Sequence, residues 1–192
     1  MLPVRSQIWR AANRLGGRRF RTWSQNDQYR QGRWSALGRN RRPMVTELVE
    51  KLADGGRVVE HACGEGHLFD LVDPGAYRHY TGYDISPVAI ESATNRVGSA
   101  RRRFEVQDMT TWAGDRDLDL IVAEECLNYL RPRQLERFLT TCRASLQPRG
   151  ALLTTFYDPT GQTREVEICR AAFPDHELVP DPTGALVMVL RP

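Results

Sequence analysis

The sequence has no long apolar run and no paired cysteines. No stretch reaches the roughly 18 consecutive apolar residues of a membrane span, and no signal-peptide core is present. The cysteines are widely separated and show neither a C-x-x-C motif nor metal-ligand spacing: Cys63, Cys126, Cys142 and Cys169. These absences predict a cytoplasmic protein with buried, reduced thiols and no bound metal.

Acidic residues are nearly absent from residues 1–42. Eleven arginines and one acid, Asp27, give this segment a charge of about +10, which leaves about −7 for the remainder of a chain whose formal net charge is +3. Lysine is also scarce, since Lys51 is the only one, and so arginine-rich a composition is typical of a GC-rich, bacterial genome. A basic segment of this kind predicts contact with an anionic surface or partner.

The chain has no room for a second large domain. Its 192 residues, 41% of them hydrophobic, suit one globular domain with a substantial core. Strand and helix patterns alternate from residue 43 onward, and two short apolar segments close the chain. This order predicts a single, doubly wound, Rossmann-like α/β domain over 43–192, with helices on both faces of a mostly parallel, seven-stranded sheet that has a C-terminal antiparallel strand.

The stretch 57–84 carries the strongest local signal. An apolar strand over 58–62 enters a turn that contains Gly64 and Gly66, and an amphipathic helix is expected over 67–72 before the next strand. In open α/β sheets a turn of this kind brings backbone N–H groups to the carboxyl edge, where ligands bind. The stretch therefore predicts a small-molecule site at this edge.

The third glycine of a dinucleotide-binding G-x-G-x-x-G motif is missing. Glu65 would also bring negative charge towards a pyrophosphate, so NAD is disfavoured. Asp84 ends the second strand, where its carboxylate can accept hydrogen bonds from the two hydroxyls of a ribose. These residues leave open which nucleoside the site holds. His61 and His67 flank the turn, and a lone histidine there is more often structural than catalytic.

Five segments in order resemble class I S-adenosylmethionine-dependent methyltransferases. They are E-H-A-C-G-E-G at 60–66 with Y-T-G-Y-D-I-S at 80–86, F-E-V-Q-D-M at 104–109, D-L-I-V-A-E-E-C-L-N-Y-L at 119–130 and L-Q-P-R-G-A-L-L at 146–153. The resemblance covers about 43–150 and departs from the usual family pattern at Ala62, where a glycine is common. Residues 124–130 look most similar to the group around nodulation protein S, which N-methylates an amino sugar of a chitooligosaccharide.

The resemblance implies S-adenosylmethionine as the cofactor and a residue-by-residue site. Its methionine part would lie near the glycine turn, its ribose on one acid and its adenine near another, with two further acids facing the sulfonium and the acceptor. The residues near the methionine part would be Glu60, Ala62, Cys63, Gly64 and Gly66. Asp84 would bind the ribose hydroxyls, Ile85 would pack the adenine, and Asp108 would accept a hydrogen bond from the adenine amino group, with Met109 beside the ring. Glu124 and Glu125 would face the sulfonium and the acceptor. Asp108 has an alternative role as the cap of a turn.

The chemistry expected of such a site needs no nucleophilic side chain. A sulfonium is already a strong methyl donor, so the protein aligns the acceptor and excludes water. A base is needed only to take a proton from a hydroxyl or an ammonium group. The candidates at the mouth are Glu125, Asn128 and Tyr129, followed by Tyr157 and Asp158.

The segment before the domain concentrates aromatic residues beside arginines. Trp23, Tyr29 and Trp34 alternate with Arg30 and Arg33, a pattern that suits either a cap on the sheet or a lid over the ligand. We favour the lid, which N-terminal segments of many small methyltransferases form. Its expected cofactor contacts are Tyr29, Arg33 and Trp34.

Three functions remain open from the sequence. The first is a methyltransferase acting on an N or O atom of a small molecule, for example an amino-sugar-like or other specialised metabolite. The second is a nucleic-acid methyltransferase, suggested by the basic segment but disfavoured because 124–130 lacks the D/N/S-P-P-Y/F loop used on base amines. The third is a catalytically silent cofactor-fold protein that acts through a protein partner. The acceptor and the oligomeric state are not determined by the sequence.

Overall fold

A seven-stranded sheet forms the centre of the computed structural model, which describes residues 12–13, 15–34, 43–97, 99, 101–182 and 184–192. The strand order is β3-β2-β1-β4-β5-β7-β6. Strands β1 to β5 pair in parallel, and β7 runs antiparallel to both β5 and β6. In chain order the strands are β1 Gly56–His61, β2 Tyr77–Asp84, β3 Arg102–Val106, β4 Leu118–Glu124, β5 Leu146–Phe156, β6 Asp175–Pro180 and β7 Leu186–Arg191.

Five α-helices accompany the sheet in the described ranges: α1 Arg18–Arg30, α2 Pro43–Ala53, α3 Pro87–Val97, α4 Pro132–Ser145 and α5 Thr163–Ala172. Proline opens three of them because its fixed φ suits the first helical position, where no N–H is needed. Ser86 caps α3 by accepting a hydrogen bond from the Ala89 N–H at 3.2 Å.

The core is split between the two faces of the sheet. On one face α2 buries Val45 and Val49 against strand residues such as Leu120. On the other face α4 and α5 bury Leu139 and Cys169 in a larger cluster that includes Ile121, Leu152 and Phe138. A parallel sheet that is covered on both sides needs runs of apolar residues in its central strands, which β4 provides over 120–123. The predicted doubly wound α/β fold, with its single antiparallel strand near the C-terminus, is confirmed.

The helix expected over 67–72 is much shorter than predicted. Only one 3₁₀ turn forms, His67–Asp70, because the N–H groups of Leu71 and Val72 both donate to the Leu68 carbonyl and end the turn. Asp73 then precedes Pro74, and a residue before proline is disfavoured in the helical region. Two other 3₁₀ turns follow strands at the same edge: Met109–Thr111 and Leu127–Tyr129.

Two further expectations concern the N-terminal segment and the thiols. Ile8, Ala12 and Leu15 share one possible helical face among arginines, which predicts a basic amphipathic helix within residues 1–19; residues 1–11 and 14 of this segment lie outside the described residues. All four cysteines are buried free thiols, as the sequence predicts. None of the described helices is both long and apolar enough to cross a membrane.

Candidate active site

The candidate site lies where the strand order changes direction, at the carboxyl ends of β1 and β4. The chain leaves β1 towards β2 on one side, whereas β4 and β5 continue on the other side. Crossovers to opposite sides leave a crevice at the carboxyl edge, and open α/β proteins bind ligands there. The 3₁₀ turns and loops that follow β1, β2, β3 and β4 line this edge.

The turn after β1 is built from left-handed backbone conformations. Gly64 has φ +58 and Gly66 has φ +72, values that residues with a side chain rarely adopt. A Cβ at Gly64 would lie 2.9 Å from the Tyr29 hydroxyl oxygen, and one at Gly66 would lie 2.9 Å from the Phe104 ring. Ala62 also has a positive φ, +56, so the position where relatives commonly have glycine keeps the glycine-like geometry. Gly64 and Gly66 therefore lie too close to their neighbours for a larger side chain.

Asp84 is the hydrogen-bonding centre of the site. It is buried, and its carboxylate accepts bonds from the Gly64 N–H at 3.0 Å, the Ser86 N–H at 2.8 Å and the Tyr29 hydroxyl at 3.3 Å. Burial raises the pKa of Asp84 to about 6, although the hydrogen bonds from Ser86, Gly64 and Tyr29 oppose the shift. The group is therefore an ionised acceptor at neutral pH that needs only mild acid to become protonated.

Asp108 occupies the matching place after β3. Its Oδ1 accepts bonds from the Thr110 N–H at 2.9 Å and the Thr110 hydroxyl at 2.8 Å, so it does cap the following 3₁₀ turn. Its Oδ2 accepts a bond from the Arg21 guanidinium of α1 at 2.6 Å. Burial alone would raise the pKa of Asp108, but the bonds from Thr110 and Arg21 outweigh it and leave the pKa below its usual value. Asp108 thus caps the turn and keeps its carboxylate ionised at the edge of the crevice.

Helix α1 crosses the crevice between the two acids. Arg21 contacts Asp108, and Tyr29, eight residues later on the same helical face, contacts Asp84. Burial raises the pKa of the Tyr29 hydroxyl well above its usual value, and the Asp84 charge adds to the shift. A second contact comes from Ser86, whose hydroxyl donates to the Asn26 side chain at 2.6 Å. The helix is therefore fastened to the residues that follow β2 and β3.

The mouth after β4 is held in a strained turn. Glu125 has φ +52, its N–H donates to the Thr155 hydroxyl at 3.2 Å, and its carboxylate accepts a bond from the Tyr157 N–H at 2.8 Å. Positive φ in a non-glycine residue costs roughly 1 kcal/mol or more and is concentrated at functional sites. This backbone conformation places the Glu125 carboxylate at the ends of β4 and β5.

The sequence matches one protein-family model, and the matched residues include most of the site. Residues 28–183 match the family described as Methyltransferase domain. The chain belongs to this family. The enzyme class expected from the sequence, a methyltransferase, is therefore confirmed. No curated protein sequence matches the chain.

Solved structures share the fold at low sequence identity. A TehB-like SAM-dependent methyltransferase from Corynebacterium glutamicum is 20% identical with a TM-score of 0.66, and the alignment covers 88% of this chain and 98% of that one. The N-methyltransferase NodS from Bradyrhizobium japonicum, solved with S-adenosyl-L-homocysteine, is 18% identical with a TM-score of 0.64 over 77% of this chain and 85% of its own. DhpI, also solved with SAH, is 19% identical with a TM-score of 0.61 over 94% and 95%. The cofactor type of these neighbours agrees with the S-adenosylmethionine expected for this methyltransferase.

Most predicted cofactor residues of the methyltransferase lie around one crevice. The turn residues Ala62, Cys63, Gly64 and Gly66 lie directly after β1, and Ile85 is half-buried directly after Asp84. Glu60 is buried within β1 and accepts a hydrogen bond from the Tyr80 hydroxyl. Met109 packs against the core cluster of α4, and Glu124 ends β4 half-exposed.

Two of the predicted lid residues form hydrogen bonds with side chains of α1. Arg33 donates to the Gln28 side chain at 3.3 Å, and the Trp34 indole donates to the Gln25 side chain at 2.7 Å. Both bonds fix the end of α1, whereas Tyr29 alone of the three lies on Asp84. Their contact with the cofactor stays a prediction.

The acid and hydroxyl candidates at the mouth differ in their surroundings. Asn128 is buried and Tyr129 is half-buried against the core, whereas Tyr157 is exposed. Asp158 accepts bonds from the Thr160 hydroxyl and the Gly161 N–H, so it caps its own loop. Glu125 is the candidate whose carboxylate lies at the mouth on a strained, fixed backbone.

Arg21 is the site residue that the sequence reasoning missed. A usable signal was present, because Arg21 and Tyr29 are eight residues apart and so share one face of a helix. Among the described residues no group of three or more His, Cys, Asp or Glu side chains could hold a metal ion.

Proposed function

We propose that this methyltransferase transfers a methyl group from S-adenosylmethionine to an N or O atom of a small molecule, such as an amino-sugar-like or other specialised metabolite. The observation that carries the proposal is the pair of buried acids Asp84 and Asp108, which follow β2 and β3 on either side of a crevice floored by the glycine turn. A ribose and an adenine amino group are donors that such a pair can bind. The N-methyltransferase NodS and DhpI support an S-adenosyl ligand at this edge.

The residues present fit the cofactor's hydrogen-bonding groups. Asp84 would accept the ribose hydroxyls and Asp108 the adenine amino group, while Ile85 and Met109 would pack the ring. Asp108 has room for this, because each carboxylate oxygen can accept two bonds and, within the described part of the chain, its Oδ2 accepts one from Arg21. When bound, the cofactor would supply a methyl group that is already activated by the positive sulfur.

The chain's own part in the reaction is alignment and proton removal. Glu125 is held by Thr155 and Tyr157 at the ends of β4 and β5, where it can accept a proton from an ammonium or hydroxyl acceptor. The acids around this mouth also favour a cationic acceptor over an anionic one. Burial, and then the charges of Glu125, Asp84, Glu124 and Glu60, raise the pKa of the nearby Cys126 thiol well above its usual value. Cys126 therefore stays a neutral thiol and does not serve as a nucleophile.

Calorimetry with S-adenosylmethionine and S-adenosyl-L-homocysteine tests the cofactor. Binding with one site per chain is expected, and no heat at millimolar ligand would reject the proposal. An extract-wide mass-spectrometric search for molecules that gain one methyl mass in the presence of protein and cofactor then tests the acceptor class. Methylation of RNA in that extract, with no small molecule modified, would favour the nucleic-acid alternative.

Glu125→Gln should reduce turnover strongly without loosening the cofactor. The amide keeps the shape and can still accept the Tyr157 N–H bond, but it cannot take a proton, so kcat should fall roughly 100- to 10,000-fold. The cofactor Kd should change less than about twofold. The acceptor identified by mass spectrometry provides the assay, and Glu136→Gln, at an exposed residue of α4 away from the mouth, is the matched control. An unchanged kcat for Glu125→Gln would exclude Glu125 as the base.

Tyr29→Phe and Tyr29→Ala should change cofactor affinity in opposite directions. Asp84 Oδ2 already accepts bonds from Gly64 and Tyr29, so a ribose hydroxyl can reach it only when the Tyr29 hydroxyl leaves. Phe removes that competitor and keeps the ring, and cofactor binding should tighten by about two- to tenfold. Ala removes the covering ring as well, and binding should weaken. Calorimetry on both variants decides, and weaker binding by Phe than by wild type would show that the hydroxyl bonds to the cofactor instead.

A further inference from the structure

A groove lies on the outer side of α1, between this helix and the ends of β2 and β3. Its volume is ≈ 620 Å³, within the range of sites that hold a ligand. The helix forms one wall, and residues that follow or end the two strands form the other. The lining residues are Arg18, Arg19, Thr22, Trp23, Asn26, Arg30, Ile85, Pro87 and Val106.

The charge of the groove is entirely positive. Three of the lining residues are arginines, and none is an acid. The acids directly beside lining residues along the chain are engaged in other contacts, since Asp27 accepts a bond from Gln31, Asp84 accepts bonds from Gly64 and Ser86, and Glu105 pairs with Arg103. Arginine presents a planar fork of donors that matches phosphate oxygens. The groove therefore suits an anionic ligand, unlike the acidic mouth after β4.

The groove also exposes apolar surface that water contacts unfavourably. The Trp23 side chain is 62% exposed and Val106 is 43% exposed, while Ile85 and Pro87 complete the apolar wall. Trp23 is braced by Phe20, whose ring centroid lies 6.0 Å away. A large, supported indole beside arginines can stack a flat ring, which is how proteins hold the bases of single-stranded nucleic acids.

The arginines are too far apart along α1 for one phosphate. Arg18 and Arg30 are twelve residues apart, which corresponds to about 18 Å along a helix axis. A ligand that meets both ends must carry several negative charges in a row. We propose that this groove binds a single-stranded nucleic acid, with phosphates on Arg18, Arg19 and Arg30 and a base stacked on Trp23.

The shape of the groove favours this ligand over an anionic membrane. A bilayer surface meets a convex helix face that projects its apolar side chains outward. Here Ile85, Pro87 and Val106 form the wall opposite the helix, so the apolar surface comes from two elements rather than from one helix face, and a flexible strand can follow both. The inference rests on the groove alone, and it holds whether or not the strand itself carries the methyl acceptor.

Fluorescence anisotropy with a short dye-labelled oligouridine tests the proposal on the full chain. Binding is expected to weaken as salt rises, with a slope of log affinity against log salt of about −2 for three phosphate contacts. The Arg19→Ala, Arg30→Ala double variant should reduce the magnitude of that slope by about 1.4. Trp23→Ala should weaken binding about tenfold or more with the slope unchanged, because stacking carries no charge.

The controls distinguish binding of the oligonucleotide in the groove from its nonspecific attraction to a basic protein. Arg133 and Arg164 are exposed on α4 and α5, so the Arg133→Ala, Arg164→Ala double variant removes the same charge elsewhere and should bind like wild type. An equal loss in this control would overturn the proposal, as would equally tight binding of uridine monophosphate, or binding of phosphatidylserine vesicles in place of the oligonucleotide. Calorimetry with S-adenosyl-L-homocysteine on the same variants should give wild-type affinity, which keeps failure of the groove distinct from failure of the cofactor site.

Discussion

Asp84→Ala is expected to weaken the binding of S-adenosylmethionine by about 100-fold or more. Two hydrogen bonds from ribose hydroxyls to an ionised carboxylate contribute about 1.5–3 kcal/mol each, and every 1.4 kcal/mol is a factor of ten in affinity. The substitution also removes the acceptor of the Gly64 N–H, which positions the glycine turn. Both effects act on the same ligand, so no other single substitution in the site should reduce binding more.

The measurement is calorimetry with S-adenosyl-L-homocysteine, accompanied by the free energy of unfolding. Asp119→Ala is the matched control, because Asp119 accepts the Arg57 N–H at 2.7 Å near the start of β1, at the opposite edge of the sheet. It should lose stability but keep its affinity. Wild-type affinity in a folded Asp84→Ala protein would mean that the ribose does not bind at this acid.

The pH dependence gives a second measurement of the same expectation. The pKa of Asp84 is about 6, and a protonated carboxyl accepts fewer hydrogen bonds than an ionised one. Affinity for the cofactor should therefore be full above pH 7 and fall as pH drops through 6. The same titration of Asp84→Ala should be flat in this range. If the affinity of the wild type did not change with pH, the ribose contact would not depend on the charge of Asp84.

The core of the site could be predicted from the sequence because its signal is local. Gly64 and Gly66 punctuate a strand and a turn, and Asp84 ends the next strand, so the topology alone brings them to one edge. The apolar run of β4 likewise fixes a central strand without knowledge of its partners. The missing third glycine disfavoured NAD, whereas S-adenosylmethionine was predicted from the resemblance to class I methyltransferases.

What could not be predicted depends on contacts between distant parts of the chain. Arg21 and Asp108 are 87 positions apart: the helical spacing from Tyr29 could have suggested Arg21 as a site residue, but no periodicity within either segment identifies Asp108 as its partner. The missing helix over 67–72 has a different cause. Its pattern is helical, but Asp73 and Pro74 limit it, and bonds to the Leu68 carbonyl end it after one 3₁₀ turn. Pattern reasoning gives the type of an element more reliably than its length.

The sequence predicts a structural role for His61, but it does not show what surrounds the His61 ring. Its position beside the glycine turn favours a structural role, and the structure buries it completely. Its ring packs edge-on against Trp112 and Phe138, with centroid distances of 4.4 and 4.9 Å, and lies 5.5 Å from Tyr83. Within the described part of the chain neither ring nitrogen has a hydrogen-bond partner. These neighbours come from three separate elements, so only the folded structure reveals an apolar cage around an ionisable ring.

Protonation of His61 should make the protein sensitive to acid. Burial lowers the pKa of His61 to about 3, whereas an unfolded histidine has a pKa of about 6.5. Below pH 6.5 the unfolded chain takes up a proton that the folded protein excludes, so the free energy of unfolding falls by about 1.4 kcal/mol per pH unit. The stability contributed by neutral His61 is thus complete above pH 6.5. About 2 kcal/mol of it is lost at pH 5 and about 4 kcal/mol at pH 3, a large share of the 5–15 kcal/mol that stabilises a typical domain.

His61→Phe should remove this acid dependence. Phenylalanine keeps the edge-on ring contacts and has no nitrogen to protonate or leave without a partner, so its variant should lose about 2 kcal/mol less than wild type between pH 7.5 and pH 5. Chemical denaturation at the two pH values measures the difference for each protein, and this comparison cancels any constant packing cost of the larger ring. His61→Leu provides a second apolar side chain should Phe disturb the fold.

The change in slope isolates His61 because the other titrating groups are shared. Asp84 acts in the opposite direction, since its raised pKa means that the folded state gains stability as pH falls from 6 towards 4, but it does so equally in wild type and variant. His79→Phe is the matched control, because His79 is an exposed residue of β2 and should leave the wild-type slope unchanged. A His61→Phe protein that loses as much stability as wild type between these pH values would show that the folded protein accepts the proton on His61, and hence that the aromatic cage opens to water.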